Sequence, residues 1–568
     1  MKKVLLLAAG IAAGVMGIAQ GTYVPVGGDT YDYVDRLDVK YGRILPMIHT
    51  GDKPFIRGEV AGMAEKMHFS NLKQNKVNEF QIQYLMDDNA EWLDSVTSKT
   101  RKPFLKKLYR EPASFAHVSS KKKGLFDLRF NPVVDVHVGG ESAGGGRFNF
   151  YRSFGVEFRG NIKKVLSFYL QATGGAERAP SYAADRAFTS QGYVYGFAYY
   201  KGYSSSIFKF KDGTNWFDAR GYVNINVLNY LNITFGRDKH FWGNGIRSLY
   251  LSDNSAPYLF LKYKLTFWRF EYVSMITQLT NPDRTSYGSV DGTYLQKYGA
   301  FHHLNIKVTR WLDLGLFEGV ISRRSGNNLD PSYLNPIIFY RAVEHALGSP
   351  DNVFIGADFK ANAFNHMQLY GQLVLDEFNV KNMIKSNGWR GNKYGVQLGV
   401  KYIDIIPNLD GQFEFNAVRP FTYTHEGDLS YTNYNQPLGD PLGANFAEFI
   451  TQLRYQPAPR WTLTLRNIEA RVGQDTTITA TGVLANYGGD ILRQDAATKE
   501  FGNKIGQGAR GLISYINLRV SYQPWHNIYV DLETFYRNKS SEQAAFREST
   551  FYFGVGVRMN LAQRKYDF

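Results

Sequence analysis

A chain of 568 residues with 40 Phe, 39 Tyr and 8 Trp has far too much buriable surface for intrinsic disorder. Past its first two dozen residues no apolar run reaches the ~20 positions of a spanning helix, which excludes a multi-span helical membrane protein. The absence of cysteine excludes disulfides, thiolate metal sites, a Cys nucleophile and a lipoprotein anchor, and the net charge of +15 is scattered, which argues against nucleic acid.

Lys2 and Lys3 precede an apolar core from Val4 to Ala19. Small residues at Gly17 and Ala19 then predict a signal peptide over 1–19, cleaved before Gln20. Removing two lysines leaves a net charge of +13. The expected destination is the outer membrane of a Gram-negative bacterium.

Residues 20–123 read as a small helical region, periplasmic or packed as a plug. Ile56, Val60, Met63 and Met67 recur at helical spacing after cap-type residues Thr50, Asp52 and Pro54. Val77, Phe80 and Tyr84 form a second stripe.

Over residues 124–568 the period is two. Phe126-Leu128-Phe130, Leu166-Phe168-Leu170, Val223-Ile225-Val227, Leu369-Gly371-Leu373 and Phe413-Phe415-Ala417 each alternate with polar neighbours. Apolar-out, polar-in segments of ~10 residues are the pattern of a transmembrane β-barrel, because a sheet in lipid must close to satisfy its backbone. The predicted fold class is therefore an all-β transmembrane barrel of about 18 antiparallel strands with a small N-terminal helical region. Tyr230, Trp311, Trp461 and Trp525 fall near strand ends, where an interfacial girdle belongs. Short turns are expected at Gly160-Asn161, Asn229-Tyr230, Thr309-Arg310, Pro457–Pro459 and Pro524–His526. Long loops are expected at 174–189, 281–297, 322–352, 422–445 and 473–508. The last run places Phe553, Val555, Val557 and Met559 toward lipid, with Val557 near mid-strand, and ends in a Gly-containing outer-membrane β-signal.

Little in the chain points to catalysis, so the expectation is no enzyme, no cofactor and no metal. His302 and His303 are adjacent in a strand and point to opposite faces, as do Asp376 and Glu377.

Several islands carry a resemblance. The most specific runs from Phe235 through Gly236-Arg237-Asp238-Lys239-His240-Phe241-Trp242-Gly243-Asn244-Gly245-Ile246-Arg247-Ser248 to Asn254. Others are Asp35-Arg36-Leu37, His49-Thr50, Lys53-Pro54, Tyr333–Pro336, Gly348–Asn352 and Leu369–Phe378. Together they resemble the Wzi-like capsule-assembly family of outer-membrane proteins, in particular its Bacteroidota branch that includes the gliding-motility protein RemB. The resemblance implies a barrel of about eighteen strands acting as a surface anchor or assembly factor for capsule or exopolysaccharide. Its alternative implication is an accessory role in gliding motility or type IX secretion, and a porin-like transporter is the third reading. The implied partners are outer-membrane lipid and lipopolysaccharide, acidic surface polysaccharide, and gliding or type IX secretion proteins.

Read from its own residues, the main island concentrates Arg237, Lys239, His240, Trp242 and Arg247 in one glycine-flexed stretch after a strand. Cations interleaved with flat rings suit an acidic glycan, since guanidinium pairs with carboxylate. The competing reading is a structural loop folded into the lumen, with arginine paired to Asp238 or Asp253.

Overall fold

Eighteen long strands, each antiparallel to the next, close into one barrel in the computed structural model. The structure describes residues 21–568 apart from 43–47, 71–73, 94–112, 121–124, 188–199, 202–212, 228–229, 285–293, 325–327, 338, 350, 427, 478–483, 494–496, 545–546 and 563. The expected signal peptide lies outside the described residues.

In chain order the first strands are β1 (Phe126–Glu141), β2 (Arg147–Ile162), β3 (Leu166–Arg178), β4 (Thr214–Val227), β5 (Leu231–Asp238) and β6 (Tyr258–Phe267). Next come β7 (Phe270–Arg284), β8 (Tyr294–Lys307), β9 (Leu312–Ser322), β10 (Asn352–Ala363), β11 (Met367–Leu375) and β12 (Tyr394–Ile406). The last are β13 (Leu409–Val418), β14 (Phe446–Ala458), β15 (Trp461–Gln474), β16 (Ala509–Trp525), β17 (Ile528–Ser541) and β18 (Glu548–Met559). The barrel closes where β18 pairs with β1, from Tyr552↔Glu141 to Met559↔Val134. Closure is what leaves no edge in lipid.

Alternation sets the two faces. In β18, Phe551, Phe553, Val555 and Val557 stand half-exposed on the outside while Tyr552 and Arg558 are buried inside. Met559 is only partly exposed, and Val557 sits two residues from the strand end rather than at its middle. Tyr230, Trp268, Trp311 and Trp461 are exposed at the end with short turns, giving that rim its aromatic ring.

Two expected boundaries move. Gly160 and Asn161 lie inside β2, and the turn falls at Lys163 and Lys164, which adopt φ +52° and +55°. Likewise β3 runs on to Arg178, so the loop expected from 174 starts later. In both cases the ladder with the neighbouring strand outweighs the local glycine signal.

The lumen is filled from the short-turn end by three helices: α1 (Asp29–Tyr41), α2 (Arg57–His68) and α3 (Lys76–Asp88). They share a core that includes Val34, Leu37, Val60, Met63, Met67, Ile82 and Leu85, each at most 3% exposed. One face of α1 carries Asp29, Asp32, Asp35 and Asp38, one turn apart. These meet Arg558 of β18 (3.9 Å), Arg454 of β14 (3.4 Å), Lys401 of β12 (2.6 Å) and Lys360 of β10 (3.1 Å). Arg36 adds ion pairs to Asp404 and Asp410 at the β12–β13 turn. Glu59 of α2 pairs with Lys264 of β6 at 3.2 Å. An acidic helix face thus docks on a basic strip of the inner wall.

Candidate functional site

The long connection between β5 and β6, residues 239–257, enters the lumen from the other end and meets the plug there. Asp52-Lys53 and Phe241-Trp242 form a two-residue antiparallel ladder, Asp52↔Trp242 and Lys53↔Phe241. Islands separate in sequence therefore come together. The Thr50 hydroxyl donates to Asn244 (2.8 Å), and Gln372 of β11 donates to the Trp242 carbonyl while accepting from the Leu249 amide, both at 2.9 Å. Glu414 of β13 accepts from the amides of Ile246 (2.6 Å) and Arg247 (2.9 Å). Gly243 has φ +146°, and a Cβ there would lie 2.6 Å from the Gln372 amide nitrogen. Only glycine fits that approach without a shift.

The five candidate residues divide by environment. Arg237 is not in the loop. It sits in β5, paired with Leu259 and Gly221, and its guanidinium donates to Asp218 at 3.2 Å. His240, 1% exposed, stacks on Tyr258 and lies edge-on to Phe260, with the Lys262 ammonium 3.4 Å from Nε2. Burial, with that ammonium beside it, holds His240 well below its ordinary value. Trp242, 1% exposed, stacks 5.5 Å from the His303 ring, which itself bridges Asp52 (2.6 Å) and Asp358 (2.8 Å). His302 faces the outside of the wall, as adjacent strand positions must.

Lys239 and Arg247 face a cavity of about 170 Å³ that they share with Arg220, Arg466 and Arg564. The Lys239 ammonium donates to the Asp253 carbonyl at 2.9 Å, and burial pushes it down to about 8. A neighbouring cavity of about 140 Å³ adds Lys53, Arg454, Arg519 and Arg558 to the basic lining. The segment after β18 folds back into the first cavity. Its Asp567 carboxylate takes an ion pair from Arg247 (3.1 Å) and a second from Arg466. Burial alone would raise this carboxyl, yet the two guanidiniums hold it below the usual range. Arg247 also lies 3.5 Å from Glu448. The arginine partners expected from sequence, Asp238 and Asp253, are replaced for a local reason. Asp238 turns back to accept from the next amide, Lys239, at 2.8 Å, and Asp253 contributes only its carbonyl. Asp376 is likewise taken, accepting from the Tyr423 amide at 2.8 Å, while Glu377 pairs with Lys393 at 3.0 Å.

The fold is similar to that of Wzi. Wzi is an outer membrane protein involved in group 1 capsule assembly in Escherichia coli and a carbohydrate-binding β-barrel; the likeness covers 95% of this chain and 100% of that one, at a TM-score of 0.57 and 13% identity. Pseudomonas aeruginosa OprD matches over 76% of this chain and 94% of its own, with a TM-score of 0.41 and 10% identity, too low to carry an argument. No protein-family model and no curated protein matches the sequence.

Proposed function

We propose that this protein is an outer-membrane barrel that holds or helps assemble an acidic surface polysaccharide, with the cationic lumen cavity beside Lys239 and Arg247 as its carboxylate-recognising site. One observation carries the reading: the cavity already holds a carboxylate, that of Asp567, between Arg247 and Arg466. Guanidinium pairs recognise carboxylates by geometry as well as charge, so a uronate can take the same place. The shared fold with a carbohydrate-binding barrel supports this, as does a lumen lined by plug, loop and tail, which favours binding over conduction. Its setting is a bilayer bearing lipopolysaccharide, and a net +13 chain attracts polyanions to that surface.

The test is a deletion strain complemented with variants. Lys239→Ala should lower polysaccharide retention at unchanged barrel levels, and Asp567→Asn should raise it by weakening the internal competitor. Wild-type retention in both would end the cavity assignment. Loss of cell spreading with intact retention in the deletion strain would favour the gliding or type IX secretion role instead, and steady conductance in planar bilayers would favour transport.

A further inference from the structure

On the outer wall, three neighbouring strands carry a row that does not suit lipid. Ser274 of β7, His302 of β8 and Glu318 of β9 are register partners, face outward, and are nevertheless buried. What covers them is the connection between β9 and β10, residues 323–351, which does not rise from the rim but folds down the outside of the barrel. Tyr340 stacks on His302 at 4.1 Å and its hydroxyl lies 2.6 Å from Nε2. The Arg341 amide donates to Glu318 at 3.1 Å. Tyr333, Tyr340 and Val343 pack on Ile276, Ala300, Val320 and Val353, the next outward row. The far tip reaches lower still, where the Tyr272 hydroxyl donates to the Pro336 carbonyl. Asp351 fastens the base, binding Arg324 through both oxygens at 2.7 Å and accepting from Tyr333 at 2.7 Å.

The depth of this flap follows from the register. Glu318 stands six residues beyond Leu312, where β9 leaves the Trp311 ring. At ~3.3 Å per residue and ~40° tilt that is roughly 15 Å above the short-turn rim, inside an apolar band ~25 Å tall. Tyr272 and its register partner Leu316, level with the tip, are lower by one outward row. Leu316 is 58% exposed there, as a lipid-facing residue is. On the flap's own outer surface Ile337 is 85% exposed and Phe339 76%, with Leu334 and Leu347 beside them. An apolar surface this open is costly in water and continuous with the belt below it.

We infer that residues 323–351 form a flap embedded in the bilayer, whose outer face, Ile337 and Phe339 above all, is covered by lipid acyl chains. The flap lets the wall keep an outward His302–Glu318 pair, 3.7 Å apart, away from hydrocarbon.

The chain has no cysteine, so a single one can be introduced and labelled. Nitroxides are placed at Ile337→Cys, at Val555→Cys as the lipid reference and at Lys385→Cys, an exposed loop position, as the aqueous reference. In proteoliposomes, collision with oxygen and with a water-soluble nickel complex is read for each. The Ile337 label should match the Val555 label, with several-fold more oxygen than nickel collision. A nickel-accessible label like that at Lys385 overturns the inference. So does a label shielded from both relaxants, which would mean that protein covers the flap.

Discussion

Arginine scanning along β18 measures the bilayer against the register. The strand has twelve residues, so its midpoint falls between Phe553 and Gly554. Along the membrane normal, Val555 then lies ~4 Å and Val557 ~9 Å from that midpoint, at ~3.3 Å per residue and ~40° tilt. Val555 is flanked by Val138 and Leu532, both outward and half-exposed, so an arginine there finds no carboxylate. Val555→Arg should cost ~2–4 kcal/mol, as at a midplane, and Val557→Arg, ~3 Å from the edge of the apolar band, about 1 kcal/mol. Urea unfolding in lipid vesicles, followed by heat-modifiable gel mobility, gives both values. Equal costs, a larger cost at Val557, or no cost at either would refute the assignment of this face to lipid.

Truncation before Ser549 removes β18 and leaves β1 and β17 unpaired in lipid, so the product should be degraded rather than accumulate in the membrane. Arg247→Ala strands Asp567 and Glu448 and should lower folded yield, by ~3–5 kcal/mol in unfolding experiments, whereas Lys239→Ala should not. Polysaccharide retention should fall as pH rises through about 8, because Lys239 loses its charge there, and a pH-independent affinity between 7 and 9 would contradict its role. The carboxyls of Asp35 and Asp567 are held below their ordinary range, by Lys401 and by Arg247 with Arg466 respectively, against the upward push of burial. Their stabilisation is complete above the unfolded value near ~4 and is lost as pH falls through the folded values, so plug and tail should become protease-sensitive only in strong acid.

The wall was legible because its signal is periodic: Phe553-Val555-Val557 announces a lipid face without any knowledge of neighbours. The lumen was less so. Asp29, Asp32, Asp35 and Asp38 recur at a helical spacing that marks a docking face, but that stripe reads as solvated surface until Arg454, Lys401 and Lys360 are known to stand opposite. Arg247 illustrates the same limit, since its partners Glu448 and Asp567 are remote in sequence. The flap left no periodic trace. Tyr340, Val343 and Leu347 have helical spacing, yet nothing local says that they lean on the outside of a barrel rather than stand above it.

The acidic face of α1 also sets an order of events. Its four carboxylates belong to the part of the chain that is exported first, while the cations that neutralise them sit in β10 to β18. Until those strands exist, α1 has every reason to stay hydrated, and the basic inner wall repels itself. Arg558, in the strand that seals the barrel, stands opposite Asp29 at the first turn of the helix. Sealing the wall and seating the helix are therefore one charge-matched event, and a barrel inserted without its plug would hold an unbalanced column of positive charge.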